Sequence, residues 1–230
     1  MTTYLYSVVE QFSELSLATV SVLAGVLLLG ILLLAASKKV QWNARMISYA
    51  ALAISMSFVL SYIRIYRMPQ GGSLTLGSLL PLMLFAYAYG PLAGCVAGAA
   101  YGMLQLLQDM YMVHPVQLLL DYPLAFAAVG LTGLASRLGR PSGLSGRLFI
   151  GIWAGGLARI VFHVVSGAVF FGMYAPEGQN PWVYSTLYNL TTLLPDVALC
   201  AFISLVPAFR VLLEYQRPPR NFYKKSEKSY

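Results

Sequence analysis

The sequence predicts an all-α protein, a polytopic bundle of helices that spans a membrane. Of its 230 residues, 58% are hydrophobic and only 10% are charged, whereas a soluble domain keeps roughly a quarter of its residues charged. Several stretches of roughly 20 residues carry almost no charge, which is the length that a helix needs to cross a hydrocarbon core of about 30 Å. Because these apolar runs are continuous rather than alternating, they favour helices over the strands of a closed barrel.

The N-terminal segment, residues 1–43, predicts one transmembrane helix followed by a basic loop. Its apolar run, from about Leu15 to Ser37, follows a stretch that contains no Lys or Arg. A secretory signal peptide would carry basic residues there and a small-residue cleavage site after the run. The run is therefore interpreted as a retained helix, which ends at Lys38 and Lys39.

Residues 44–215 predict a core of six further helices, which makes seven in all. Turn-forming residues such as Gly90 and Pro91, and the Gly-, Ser- and Arg-rich stretch 137–147, separate the apolar runs. Pro195 and Pro207 predict kinks in the last run. The six runs extend over about 45–66, 74–89, 92–107, 116–136, 148–173 and 183–213.

The basic residues predict how the bundle is oriented. Twelve of the fifteen Lys and Arg lie in the connections 38–45 and 137–147 and in the C-terminal part from Arg210 onward. Since Lys and Arg accumulate in cytoplasmic segments, we expect a multi-pass protein of the cell (plasma) membrane with its N-terminus outside. The basic tail, 216–230, is then cytoplasmic and lies near anionic lipid. This placement of the +7 net charge indicates a lipid bilayer as partner and argues against nucleic acid.

Four ionisable residues fall inside the apolar runs, where a charge is costly and predicts a functional site. They are Asp121, Arg159, His163 and Asp196. Counted at a rise of about 1.5 Å per residue, Asp121 and His163 lie in the outer half of the membrane together with Asn189. Arg159 and Asp196 lie near the midplane, below that group, and we expect them to form a structural ion pair because intramembrane charges usually pair.

Aromatic side chains lie at the same depth as this outer polar group or closer to the surface. An acid, an imidazole and an amide among rings suit a flat, cationic or aminated heterocycle. Tyr and Trp also form interfacial belts in proteins that bind nothing, so half of these rings are assigned to such a belt. The aromatic residues in question are Tyr111, Tyr122, Phe171, Tyr174, Trp182, Tyr184 and Tyr188.

An intramembrane His is equally well explained as a residue that forms a hydrogen bond between helices.

The sequence carries no motif for catalysis, metal binding or nucleotide binding. No Ser or Cys stands in an evident nucleophile motif, and no cluster of ligand residues suggests a metal. Cys95 and Cys200 sit in apolar runs, where they behave as small hydrophobes. A phosphate-binding glycine loop with its lysine is also absent from the sequence. We therefore expect no catalytic residue, no metal and no cofactor.

Four motifs between residues 44 and 215 carry a family resemblance. They are Gly71–Gly77 followed by Pro81, then Asp121–Ala125, His163–Gly167, and Tyr184 with Asn189. In order and separation they resemble the ThiT family, the thiamine-specific substrate-binding (S) components of energy-coupling factor (ECF) transporters. The resemblance implies a six-helix core that binds the vitamin near the outer face, so the N-terminal helix is an addition to it.

The resemblance also implies ligand contacts at eight positions, with two departures among them. The family usually has Glu at Asp121 and Trp at Phe171, and an early-loop Trp is missing around Gly72. Smaller side chains enlarge or reshape the pocket, so a relative or precursor of thiamine is an alternative ligand. The eight positions are Tyr111, Asp121, Tyr122, His163, Gly167, Phe171, Tyr184 and Asn189.

The resemblance further implies partners for transport. We expect a non-enzymatic subunit that works with a transmembrane coupling subunit and two cytoplasmic ATPases. In the family a small-xxx-small pattern on the first core helix docks onto the coupling subunit. The equivalents here are Ala51 with Ser55 and Ala53 with Ser57.

Two alternative functions are compatible with these residues. One is an intramembrane enzyme that uses His163 with Asp121 as acid and base. The other is a carrier that works alone and is driven by an ion gradient. Internal repeats and broken helices would mark such a carrier, and no convincing repeat is present.

Overall fold

The computed structural model describes residues 38–137 and 144–216, together with ten positions between 20 and 35. Over these residues the chain is a helical bundle with one two-stranded hairpin, which confirms the predicted fold class. Most of the predicted first helix, Leu15–Ser37, and of the basic tail lies outside the described residues. The elements are α1 (Ala44–Leu60), β1 (Arg64–Arg67), β2 (Ser73–Thr75), α2 (Leu80–Tyr89), α3 (Pro91–Gln108), α4 (Pro115–Arg137), α5 (Leu144–Phe170), α6 (Pro181–Ile203) and α7 (Pro207–Gln216).

Three of these helices are long and apolar enough to cross a membrane. They are α4, α5 from Gly146 onward, and α6. α1 and α2 are shorter apolar helices. The three long helices supply most of the polar residues that the sequence placed at membrane depth.

A β-hairpin forms where the sequence predicted the last part of the second transmembrane helix. α1 ends at Leu60, and Arg64–Arg67 pair antiparallel with Ser73–Thr75. Gly71 and Gly72 turn the chain with φ of 86° and 84°, a backbone conformation that favours glycine. The run continues as strand because β-branched and aromatic residues such as Ile65 and Tyr66 suit an extended chain.

The third apolar run is helical only in its second half. α2 has ten residues and rises about 15 Å, half of the hydrocarbon thickness. The preceding stretch is not helical, yet Thr75 and Leu79 are buried at 5% and 1% exposure. Irregular backbone at such depth is tolerated where it is enclosed by protein or lines a cavity.

The glycines of α3 let its backbone approach α4 closely. A Cβ atom on Gly98 would collide with the carbonyl of Phe126, and one on Gly102 would lie 2.5 Å from the carbonyl oxygen of Tyr122. Small residues at helix contacts are the usual means of close packing in membranes. This contact fixes the part of α4 that carries the predicted acid.

α4 changes its winding along its length. It starts as α-helix, widens to a π-helix over Leu120–Leu124, and ends as a 3-10 helix over Val129–Arg137. Pro123 lies within the π-helix and has no N–H for the carbonyl of Leu119, which disturbs regular α-helical bonding. π-helical turns are frequent at functional sites.

The last apolar run forms two helices. α6 continues through Pro195 without a break, whereas the chain leaves helical structure after Ile203 and α7 starts at Pro207. Pro is favoured at the first turn of a helix because its missing N–H has no partner there. Of the two predicted kinks, the one at Pro207 is therefore a helix start.

Candidate ligand-binding site

All eight predicted contact residues line one cavity, which lies between the hairpin, α4, α5 and α6. Its volume is about 160 Å³. A buried cavity of about 150 Å³ is known to accept benzene, so the space is sufficient for at least one aromatic ring.

Asp121 projects into the cavity from the π-helical part of α4. Its Oδ1 lies 3.1 Å from Nδ1 of His163 on α5, and its Oδ2 accepts a hydrogen bond of 2.7 Å from Nε2 of Gln117. The side chains of Asp121 and His163 are 15% and 16% exposed. The carboxylate is thus oriented by two neighbours and still reaches the cavity.

Gln117 is a site residue that the sequence reasoning missed. It is 1% exposed and donates to the carbonyl oxygen of Tyr111, while its Oε1 accepts from Val113 N–H, both at 3.1 Å. It therefore ties the α3–α4 loop to α4 and orients Asp121 at the same time. The available signal was its spacing of four residues before Asp121, which places both on one helix face.

One of the two ring nitrogens of His163 is available for a further hydrogen bond. Nδ1 faces Asp121, whereas Nε2 is buried without a hydrogen-bond partner within the described part of the chain. A buried polar atom without a partner is destabilising unless something satisfies it. Nε2 can therefore form a hydrogen bond with a molecule in the cavity.

An aromatic wall forms the outer side of the cavity. The rings of Tyr111 and Phe171 stack with centroids 5.8 Å apart, and Phe171 lies 6.3 Å from the ring of Tyr174. The hydroxyl oxygens of Tyr111 and Tyr174 are 3.1 Å apart, and this hydrogen bond raises the pKa of Tyr111. Tyr184 completes the wall beside Tyr188.

Two of the tyrosines also hold the loops around the cavity. The hydroxyl of Tyr122 donates to the carbonyl of Asp109 at 2.8 Å and accepts from Tyr111 N–H at 3.0 Å. That of Tyr188, which was not among the eight, accepts from Gln70 N–H and donates to the carbonyl of Gly71. Both side chains have a structural role in addition to lining the cavity.

Gly167 permits the close packing of α5 on α6 next to the site. A Cβ atom there would collide with Oγ of Ser185 and would lie 3.5 Å from Nδ2 of Asn189. Ser185 uses this space to donate to the carbonyl of Val164 at 2.8 Å. Asn189 in turn donates from Nδ2 to the carbonyls of Ser185 and His163, which fixes the orientation of its amide.

The floor of the cavity is formed by two charged residues that we expected to pair with each other. Arg159 and Asp196 both line the cavity, but they do not form a direct ion pair, so that expectation was wrong. The Asp196 carboxylate accepts from the hydroxyl of Thr75 at 2.7 Å, and the Arg159 guanidinium lies 4.6 Å over the ring of Phe126. The cavity also reaches deeper than the sequence indicated.

The rim carries the two arginines that lie on the outer side in the predicted topology. Arg64 and Arg67 of β1 bind the two oxygens of Asp109 at 2.8 and 2.7 Å. The pairs are partly exposed, so their contribution to stability is small. They connect the hairpin to the end of α3 beside the cavity mouth.

Potential metal ligands and thiols are the other reactive groups of the described residues. No group of three or more His, Cys, Asp or Glu in that part of the chain is arranged to hold a metal ion. Cys95 and Cys200 are buried and unpaired in the core. The cavity offers an acid, an imidazole, amides and aromatic faces, which suit recognition of a small molecule.

The helices enclose polar side chains at membrane depth, around a cavity that is lined by aromatic rings and a carboxylate. This arrangement defines a multi-pass membrane protein with an internal site for a small molecule. Residues 47–214 match the family described as thiamine transporter protein (Thia_YuaJ). The chain belongs to this thiamine transporter family. The N-terminal segment lies outside the matched residues.

Curated relatives and a solved structure agree with this assignment. The thiamine transporter ThiT of Bacillus subtilis (strain 168) is 40% identical over 144 residues, which cover 59% of this chain and 74% of the relative. ThiT of Lacticaseibacillus paracasei is 34% identical over 145 residues, 56% of this chain and 72% of the relative. A structure of ThiT from Listeria monocytogenes is 25% identical, with a TM-score of 0.66 over 75% of this chain and 97% of that one.

Proposed function

We propose that this protein is the substrate-binding subunit of an ECF-type importer and that it binds thiamine, or a close relative or precursor, from outside the cell. The observation that carries the proposal is the Asp121 carboxylate, which is oriented by Gln117 and His163 inside an aromatic cavity. An intramembrane carboxylate is costly and rarely present without a function. Thiamine supplies a permanent positive charge on a flat ring, which matches this environment.

The chemistry of the upper cavity fits such a ligand in three ways. Asp121 attracts the cationic ring, and the faces of Tyr111 and Phe171 offer stacking and cation–π contact. Nε2 of His163 supplies a hydrogen-bonding atom that otherwise has no partner. Tyr122, Gly167, Tyr184 and Asn189 complete the proposed contact set around the same space.

The proposal includes partners that supply energy, since binding alone moves nothing across a membrane. They are a transmembrane coupling subunit and two cytoplasmic ATPases. On α1, Ala51 and Ser55 face outward from the bundle, whereas Ala53 and Ser57 are buried within it. Of the two small-residue pairs, only Ala51 with Ser55 is therefore accessible to a coupling subunit.

The proposed orientation has the N-terminus outside and the C-terminus in the cytoplasm. The cavity mouth, with Arg64, Arg67 and Asp109, then opens outward. This agrees with capture of a vitamin from the medium. Cysteine-accessibility labelling of single-cysteine variants at each terminus tests the orientation.

Binding is tested with the purified full-length protein in detergent or nanodiscs. We expect thiamine to bind with 1:1 stoichiometry by isothermal titration calorimetry and to raise the unfolding temperature. Thiamine recovered after incubation should be chemically unchanged, because the proposed role is not enzymatic. If neither thiamine nor its precursors or phosphates bind, the vitamin assignment is wrong.

Two results would instead support the alternative functions. Turnover of the bound ligand would indicate the enzyme with His163 and Asp121 as acid and base. Uptake into proteoliposomes that contain this chain alone, driven by an ion gradient, would indicate a solitary carrier. We expect uptake only when the coupling subunit and the ATPases are reconstituted with it.

A further inference from the structure

The N-terminal helix approaches the bundle closely at one level. The described positions between 20 and 35 are helical, and of these ten only Leu27 and Gly30 are not exposed. A Cβ atom on Gly30 would lie 2.5 Å from Cδ2 and 3.3 Å from Cδ1 of Leu124 on α4. Because lipid chains are as apolar as leucine, helices associate in a membrane through close packing of this kind. A helix that served only as an anchor would not need it.

The contact is made with the π-helical turn of α4. Leu120 and Leu124 are the first and last residues of that turn, and they are 0% and 8% exposed. Both belong to an apolar cluster between α4 and α5, which also includes Phe162. Leu27 packs against the same cluster. The N-terminal helix therefore covers this turn together with α5.

An irregular helical turn within a membrane needs such cover. The π-helical winding contains Pro123, which has no N–H and disturbs regular helical hydrogen bonding. At membrane depth, irregular backbone is tolerated where protein encloses it. α3 encloses the turn through Gly102, where a Cβ atom would collide with the carbonyl oxygen of Tyr122. Gly30 allows a second helix to approach the same turn.

This turn also carries the carboxylate of the cavity. Asp121 follows Leu120 directly in the chain, and its Oδ2 accepts a hydrogen bond from Gln117 one turn earlier. Leu120 and Leu124 belong to the apolar cluster, whereas Gln117 and Asp121 line the cavity. A displacement of the leucines therefore moves the carboxylate relative to His163. Binding sites tolerate only about 0.5 Å of such displacement.

We propose that the N-terminal helix is a positioning element of the binding site. Leu27 and Gly30 hold the π-helical turn in the geometry that presents Asp121 to the cavity. Neither residue is among the described residues that line the cavity, so both act through α4. The helix lies outside residues 47–214, which match the thiamine transporter family. This inference rests on the proposed function, because ligand affinity is its first readout.

The first test introduces a large side chain at Gly30 of the full-length protein. Gly30→Leu should push Leu124 aside and lower the thiamine affinity roughly fivefold or more, as measured by calorimetry. Leu124→Ala in the same chain makes room for the new side chain and should restore most of the affinity, relative to Leu124→Ala alone. Gly25→Leu is the matched control on the same helix, because nothing lies within 4 Å of a Cβ atom there.

A second comparison shows whether Gly30 acts through the carboxylate. Gly30→Leu is combined with Asp121→Asn and, as a control, with Glu177→Gln, which changes an exposed carboxylate on the loop before α6. We expect the effect of Gly30→Leu to disappear with Asp121→Asn and to persist with Glu177→Gln. A general loss of stability would instead lower the affinity by the same factor in both backgrounds, and that result would overturn the proposal.

Hydrogen exchange supplies a readout that needs no ligand. Peptides that cover Leu120–Leu124 should exchange faster in Gly30→Leu than in the wild type or Gly25→Leu. If Gly30→Leu cannot be purified, Leu27→Ala should give the same changes, with Leu28→Ala as its control because Leu28 is 58% exposed.

Unchanged affinity and unchanged exchange in these folded variants would overturn the proposal, as would a failure of Leu124→Ala to restore the affinity of Gly30→Leu. Absence of thiamine binding by the wild type would instead refute the proposed function. The exchange measurement would then decide, without ligand, whether the N-terminal helix holds the turn.

Discussion

Nδ1 of His163 on α5 lies 3.1 Å from Oδ1 of Asp121 on α4, and this contact joins two helices that line the cavity. The residues are 42 positions apart in sequence, so the contact exists only in the folded bundle. A nitrogen that donates to a carboxylate forms a charge-assisted hydrogen bond, which is stronger than a neutral one. The contact therefore fixes both the carboxylate and the imidazole.

Replacing His163 should weaken thiamine binding according to which ring nitrogen is lost. His163→Leu removes both nitrogens and should reduce the affinity by roughly tenfold or more. His163→Asn retains a donor near the position of Nδ1 and should preserve more of the affinity. Calorimetry on both variants checks this, and equal affinity of His163→Leu and wild type would exclude the imidazole from the site.

Adding one methyl group at Gly167 should destabilise the contact between α5 and α6. Because the new Cβ collides with Oγ of Ser185, Gly167→Ala should cost about 1–3 kcal/mol and lower the thiamine affinity through the adjacent Asn189. The double variant with Ser185→Ala should recover part of the loss. Thermal unfolding measures the loss of stability and its recovery. Gly25→Ala is the control, because nothing lies within 4 Å of a Cβ atom at that position.

Rescue by the second substitution distinguishes this steric account from a direct contact between Gly167 and ligand. If Ser185→Ala restores neither stability nor affinity, the collision is not the cause. The affinity loss would then reflect crowding of the ligand itself.

Stability should fall below neutral pH because of His114, which lies just outside the membrane-spanning part of α4. Its Nδ1 accepts from Val116 N–H at 3.1 Å, and its ring stacks on Phe170. Burial lowers the pKa of His114 below its ordinary value near 6.5. His114 therefore binds a proton at a higher pH in the unfolded chain than in the folded protein. The stabilisation that comes from burying neutral His114 is complete above pH 6.5 and is lost as the pH falls below that value.

His114→Asn tests this prediction because Asn also caps a helix but does not titrate. Unfolding temperatures between pH 8 and pH 5 should decrease more steeply for the wild type than for His114→Asn. His163 is present in both proteins, so the difference belongs to His114. Identical slopes would contradict the prediction.

Substitutions on the outward face of α1 should impair transport without changing the affinity for thiamine. Ala51→Leu with Ser55→Leu enlarges the outward face of α1 and should abolish uptake in the reconstituted complex, because close packing needs small residues. Thiamine affinity of the isolated protein should be unchanged. Ala100→Leu, at an exposed small residue on α3, is the matched control and should leave both unchanged.

The sequence was sufficient for the parts of the fold and site that depend on strong energetic constraints. The cost of charge in lipid singled out Asp121 and His163, and hydropathy indicated the long helices α4, α5 and α6. The motif order indicated the family, which the comparisons confirm. All eight predicted positions line the cavity, while their contact with a ligand stays a prediction.

Other features could not be predicted from the sequence, because they depend on tertiary contacts. Gln117 and Thr75 are neutral, so hydropathy gives them no signal, although each binds a carboxylate. Counting residues gives the depth of Arg159 and Asp196 but not their direction or their other neighbours, which is why the expected ion pair was wrong. The hairpin at Arg64–Arg67 escaped because a short apolar run fits a strand or a helix equally well.

The central claim is that the Asp121 carboxylate binds the ligand, and calorimetry of thiamine with wild type, Asp121→Asn and Glu177→Gln tests it most directly. Asp121→Asn keeps the shape and the neighbours of the side chain but removes its charge. We expect Asp121→Asn to weaken binding by about 1–3 kcal/mol, and Glu177→Gln to bind as the wild type does. Unchanged affinity in a folded Asp121→Asn protein would contradict the account.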